Sequence, residues 1–238
     1  MPPALIGLAA AAAAGAAGYQ SMAPTGQWFG RTIASGTPGS KQLALTFDDG
    51  PNDPHTLRLL DVLAKHNVHA TFFMIGRFVR ERPDIARAVG AAGHVVGNHT
   101  FTHPRLIFQS EAQTRAQLTN CRQTLDDAIG AHSKLFRPPF GGRRPATLRI
   151  ARELGFETVM WNVTGYDWSA PPATVIEAKV ARRIREGGGD IILLHDGGHR
   201  ALGAERGQTV IATDNLIRRY KDLGYEFVTM SEMMKAVG

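Results

Sequence analysis

Two histidines four residues apart, His99 and His103 in Asn98-His99-Thr100-Phe101-Thr102-His103-Pro104, form a pair able to share one metal ion. On a helical turn, side chains at i and i+4 lie on the same face, so both imidazoles would reach the same point. Asp48 and Asp49, in Leu45-Thr46-Phe47-Asp48-Asp49-Gly50-Pro51, offer carboxylates. One carboxylate with two histidines leaves an open position for water, as catalytic zinc sites do. The other would be free to act as a general base. Adjacent residues of a regular strand point to opposite faces, so both can enter one site only if the strand ends at this pair. A turn is the plainer reading of the same residues, because Asp, Gly and Pro build turns. His195, after the apolar run Ile191-Ile192-Leu193-Leu194, is either a loop cap or a general acid, since histidine titrates near neutrality. Arg137, in Phe136-Arg137-Pro138-Pro139-Phe140-Gly141, precedes a double proline that favours a rigid loop.

These residues must be held by something, and the pattern from Lys41 onward supplies it. Short β-rich runs at Gln42–Phe47, Ala70–Ile75, His94–Gly97, Lys134–Phe136, Phe156–Val163, Ile191–Leu194 and Glu226–Thr229 read as strands. Several are continuous apolar runs, as parallel strands buried on both faces are. Helical stretches separate them: Thr56–Lys65, Asp84–Ala92 after Pro83, Glu111–Ile129, Pro145–Leu154, Pro172–Glu186 and Thr209–Leu223. Glycines such as Gly130 fall just past these helices, where a left-handed cap is expected. The alternation predicts an α/β fold with a parallel sheet, either open and doubly wound or an incomplete barrel. Asp48, Asp49, His99, His103, Arg137, Asp167 and His195 all fall at C-terminal strand ends, the edge where such sheets place their reaction site.

The chain has 238 residues, which suits one domain and a short appendage. Its 43% hydrophobic and 20% charged content suits a packed core. A net charge of +6 reflects either solvated helix surfaces or attraction to an anionic surface or polymer. Nucleic acid is not expected as a partner, because no basic run is interleaved with aromatics. The single cysteine, Cys121, excludes an intrachain disulfide and reads as a small buried residue. Residues Ala4 to Ala17 form an Ala-rich run with a small-residue cleavage site at Ala14-Gly15-Ala16, followed by a Gly/Pro-containing stretch to Gly39. That predicts a signal peptide or membrane anchor plus linker over 1–39, a catalytic domain over 40–238, and an extracytoplasmic location. The first basic residue is Arg31, so the charged start typical of such leaders is lacking. A chain cut near Gly39 is expected to stay soluble and active.

Taken together, these residues resemble the polysaccharide deacetylase family, the carbohydrate esterases with a NodB-type homology domain. The resemblance runs from about Gln42 to Thr229 and rests on five motifs in the family order. They are Thr46-Phe47-Asp48-Asp49-Gly50, His99-Thr100-Phe101-Thr102-His103, Arg137-Pro138-Pro139-Phe140-Gly141, Asp167-Trp168 and Leu193-Leu194-His195. The resemblance implies a distorted (β/α) barrel of about seven parallel strands with outer helices. It implies that Asp49, His99 and His103 hold a divalent ion, usually zinc, with cobalt or nickel as alternatives. It makes Asp48 the general base, paired with Arg137, and His195 the general acid, oriented by Asp167. Trp168 and Leu193 would line the acetyl pocket, and the Phe140 backbone N–H would face the oxyanion. Thr164 stands where many members carry an acidic residue, and Phe140 where Tyr is common. The implied substrate is an amino-sugar polymer or oligomer, acted on by a monomer. Rival readings are an O-acetyl xylan-type esterase or cyclic-amide hydrolase on the same site, or a carbohydrate-binding relative without catalysis.

Overall fold

In the computed structural model, which describes residues 3–130 and 134–236, the apolar runs form parallel strands. They are β1 (Gln42–Gly50), β2 (Thr71–Met74), β3 (Val95–Asn98), β4 (Leu135–Phe136), β5 (Glu157–Thr158), β6 (Val163–Thr164), β7 (Asp190–His195) and β8 (Glu226–Phe227). Their order is β5-β4-β3-β2-β1-β7-β6, and β8 pairs with the start of β1. The single strand expected over Phe156–Val163 is two short ones on opposite edges of this sheet. Five residue steps from Thr158 to Val163 reach at most ~18 Å, whereas six strand spacings in a flat sheet need ~29 Å. The sheet must therefore curl, with residues 159–162 crossing its seam. Val159 N–H bonds the Phe136 carbonyl on one side and Asn162 N–H the Ile191 carbonyl on the other. The result is a distorted, incompletely hydrogen-bonded (β/α) barrel.

Helices α2 (His55–Lys65), α3 (Gly76–Glu81), α4 (Pro83–Ala91), α5 (Glu111–Ile129), α6 (Pro145–Glu153), α7 (Ala173–Ala181) and α8 (Gly207–Asp222) surround it. Helix α5 starts at a capping box between Ser110 and Gln113 and ends at Gly130, whose φ of 73° suits a residue without a Cβ. Helix α7 stops earlier than the expected Glu186, and α3 was not legible as a separate helix.

Strand parity decides what faces the lumen. In β1, Leu43, Leu45 and Phe47 join the core beneath the helices, while Ala44 joins a second cluster inside the barrel with Phe73, Leu135 and Ile191. Following that alternation, Thr46 and Asp48 face inward from β1, Leu193 and His195 from β7, and Arg137 from the end of β4. Val228, Met230 and Met233 fill the barrel at the strand starts, the last two from α9 (Met230–Lys235). The strand ends are left as the open mouth.

Helix α1 (Pro3–Met22) carries the Ala-rich run. Among the described residues, no helix is long and apolar enough to cross a membrane. Ala11 to Gly15 are exposed, but the following stretch is not the free linker expected over 18–39. Arg143, 1% exposed, donates to the carbonyls of Ala23 and Gly26, and its own N–H bonds the Ser21 carbonyl. Further on, Ile33 bridges Val159, and Gly36 N–H bonds the Gly189 carbonyl. Backbone bonding of this kind leaves no trace in composition.

Candidate active site

Asp48 and Asp49 reach the same mouth, but not because the strand stops at them. Strand β1 continues to Gly50, and its register against β2 slips between Asp48 and Gly50. Asp49, at φ 73°, is the extra residue of this bulge. A bulge re-aims a side chain, so the alternation that would have sent Asp49 outward is cancelled.

His99 and His103 do not share a helical turn either. Residues 99–105 form an irregular loop after β3, with Thr100 at φ 65° and His103 at φ 58°. The loop is tied by its own polar groups. Thr100 N–H bonds Asn98 Oδ1, His103 N–H bonds Thr100 Oγ1, and Gln117 Oε1 accepts from the N–H groups of Phe101 and Thr102. Left-handed backbone at Asp49, His103 and Phe140 (φ 56°) is uncommon for residues with a Cβ and is concentrated at this mouth.

Asp49 Oδ1 lies 3.2 Å from His103 Nε2 and 3.5 Å from His99 Nε2. Tetrahedral bonds of ~2.0–2.2 Å place ligand atoms about 3.3–3.6 Å apart, so both separations suit a single zinc-sized ion. Asp49 Oδ1 is buried without a hydrogen-bond partner among the described residues, as an oxygen kept for a cation would be. Burial raises the Asp49 pKa, against the pull of His195 and His99. Burial and the neighbouring imidazoles drive the His103 pKa far down, leaving the neutral ring that metal binding requires. Asp49, His99 and His103 thus fit a divalent ion by donor type and spacing.

Asp48 stands beside this set, its Oδ2 3.6 Å from His99 Nε2. Its Oδ1 accepts a 2.8 Å hydrogen bond from Arg137 Nη1, which also donates to Thr46 Oγ1. Arg137 is fully buried, and its Nε and Nη2 donate to the carbonyls of Val159 and Met160. Its guanidinium lies 4.2 Å from the Phe73 ring centroid. Burial pulls its pKa down, and Asp48 opposes that pull.

On β7, where His195 lies in register with Asp48 of β1, His195 Nδ1 meets Asp167 Oδ1 at 2.9 Å. Asp167 Oδ2 accepts from His195 N–H and from Thr209 Oγ1, both at 2.8 Å. Burial alone would lower the His195 pKa, but Asp167, aided by Asp49 and Asp48, raises it to about 9. The Asp167 carboxyl is held below the ordinary range by His195 and these hydrogen bonds, despite burial.

Asp48, Asp49, His99, His103 and His195 line one cleft of about 710 Å³, together with Phe140, Trp168 and Leu193. All ten residues singled out from the sequence converge there or directly support it. Trp161 and His199 line the cleft too, and neither was expected. His199 had one available signal, a histidine four residues beyond His195 in a glycine-containing loop after a strand.

The family model described as polysaccharide deacetylase matches residues 35–159. The chain belongs to this family. A peptidoglycan-N-acetylglucosamine deacetylase of Bacillus cereus is 36% identical over 197 residues, covering 82% of this chain and 89% of that protein. A chitooligosaccharide deacetylase of Sinorhizobium fredii is 37% identical over 201 residues, covering 82% of this chain and 93% of that protein. Among solved structures, a CE4 family pseudoenzyme from Bacillus anthracis superposes with a TM-score of 0.80 at 31% identity. That alignment covers 87% of this chain and 69% of the other. The polysaccharide deacetylase family thus includes members with and without catalysis, and the residues of the site must decide between them.

Proposed function

We propose that this polysaccharide deacetylase is a metal-dependent hydrolase that removes N-acetyl groups from peptidoglycan- or chitin-like N-acetylglucosamine polymers or oligomers. One observation carries the reading. A metal-competent triad shares one cleft with an Arg137-paired carboxylate and an Asp167-paired imidazole. The amino-sugar substrate is supported by the names of the two relatives.

Asp49, His99 and His103 hold the ion, for which zinc suits two imidazoles and a carboxylate, with cobalt or nickel as substitutes. When bound, it supplies Lewis acidity, making a water easier to deprotonate and the acetamide carbonyl easier to attack. Asp48 takes the proton of the attacking water, and Arg137 holds Asp48 in one orientation. The Phe140 N–H faces the oxygen on which negative charge develops; losing one such donor typically costs ~10²–10³ in rate. Trp168 and Leu193 enclose the acetyl methyl. His195 gives its proton to the amide nitrogen as the C–N bond breaks, so that acetate and a free amine leave. Asp167 keeps His195 protonated for that step. Residues 1–17 direct the chain to the cell envelope or anchor it there.

The pseudoenzyme relative favours a second reading, a carbohydrate-binding protein without turnover. Against it, base, acid and triad are all present in this chain. Incubating the protein with peptidoglycan, chitin oligomers and acetyl-xylan, with and without chelator, and measuring acetate separates the readings. Chelator-sensitive acetate from the first two is expected. Release from acetyl-xylan alone would make it an ester hydrolase, and no release with any substrate would favour the binding protein.

A further inference from the structure

The two imidazoles of the triad are supported differently. A ligating histidine ordinarily donates its second ring N–H to a carboxylate, carbonyl or water, which fixes its tautomer and orientation. His99 has such a partner, since its Nδ1 lies 2.8 Å from the Arg137 carbonyl. Nδ1 of His103 is buried with no hydrogen-bond partner among the described residues. Its ring is held by other rings instead. His199 stacks on its face, with centroids 4.8 Å apart and planes 22° apart. Phe140 meets it at 4.6 Å and 66°.

His199 also faces a second ligand. Its Nδ1 is 3.9 Å from Asp49 Oδ2, while Oδ1 of the same carboxylate faces His99 and His103. An approach of about 1 Å would bring Nδ1 and Oδ2 to hydrogen-bond length. Such a bond would engage the outer oxygen and leave Oδ1 for the ion.

The loop that carries His199 is fixed from outside the triad. Arg77, on α3, donates to the carbonyls of His199 and Arg200. Asn52 donates to the carbonyls of Asp196 and Ala204 and accepts from Gly203 N–H. The His199 ring also rests against Phe140, with centroids 5.2 Å apart.

We propose that His199 is a positioning residue of the metal centre, orienting His103 by stacking and Asp49 through its outer oxygen. This rests on the reading of Asp49, His99 and His103 as metal ligands. In chemical terms His199 supplies a flat face where His103 lacks a hydrogen-bond acceptor, and an N–H donor near the outer oxygen of Asp49.

The test measures zinc affinity of the full chain by competition with a chromophoric chelator, together with melting of the metal-free protein. Wild type, His199→Ala, His199→Phe and His199→Asn are compared. Losing an outer partner typically weakens metal binding ~10–100-fold, and that loss is expected for His199→Ala with little change in metal-free melting. His199→Phe keeps the stacking face and His199→Asn keeps a donor near the Nδ1 position, so each should recover part of the loss. Wild-type affinity in His199→Ala would overturn the proposal. So would a loss that neither conservative variant relieves, because a collapsed loop gives that result. A wild-type chain without zinc affinity would sink this proposal together with the metal-site reading beneath it.

Discussion

Replacing Asp167 by Asn removes a negative charge 2.9 Å from the His195 ring while keeping size and a polar contact. His195 has a pKa of about 9 against an ordinary value of 6.5, with Asp167 the largest raising influence. A full shift of that size corresponds to roughly 3 kcal/mol between the two protonation states. Asp48 and Asp49 contribute part of it, and a bound cation would offset their part. An opposite charge at this range is ordinarily worth ~1–3 pH units, and most of the change should disappear with Asp167. The sign follows from the role. An acid must be protonated, so activity falls as pH rises through the His195 pKa, and lowering that pKa moves the alkaline limb to lower pH. The assay is a kcat/KM–pH profile on a chitin oligomer with the metal saturating, alongside NMR titration of the His195 ring in metal-free protein. An alkaline limb and a ring titration both unmoved in Asp167→Asn would refute the pairing.

Three other outcomes follow from the geometry. Arg137→Met leaves Asp48 buried without its cationic partner, which should cost about 3–5 kcal/mol and be seen as a large drop in melting temperature. An unchanged melting temperature would mean that the pair carries no structural role. Deleting residues 1–39 strips Arg143 of two carbonyl acceptors and Val159 of its bridge to Ile33. Thermal melting should fall for that truncation and stay unchanged for deletion of residues 1–15; equal melting of both truncated chains would show the 21–36 contacts to be dispensable. Zinc added to chelator-stripped protein should stabilise it by about 2.7 kcal/mol when the free ion reaches one hundred times its Kd, and a melting curve insensitive to zinc would count against the site.

The strand and helix order was legible because each unit begins and ends on chemistry that acts locally: Ser110 at one end of α5 and Gly130 at the other. The site was legible because its polar residues interrupt apolar runs at strand ends. What could not be read was how they converge. Strand faces were hidden, since β1 and β7 are buried on both sides and show no polar alternation. The bulge at Asp49 and the left-handed turns at Thr100 and His103 depend on tertiary partners such as Gln117, more than a dozen residues away. His99 and His103 come together through the irregular loop after β3 and not through the helical turn their spacing suggested. The split of Phe156–Val163 was hidden for a similar reason, because only closure of the sheet forces residues 159–162 across the seam. His199 belongs to a loop pinned by Asn52 and Arg77, both distant in sequence.

The central claim is that Asp49 holds the ion while Asp48, paired with Arg137 beside it, removes a proton. Metal content measured together with turnover in Asp48→Asn and Asp49→Ala tests it most directly. Asp48→Asn should retain about as much metal as wild type and lose ~10²–10⁴ in kcat, because a general base acts in the transition state. Asp49→Ala should lose metal and activity together. Metal lost from Asp48→Asn and kept by Asp49→Ala would contradict the account and exchange the two roles.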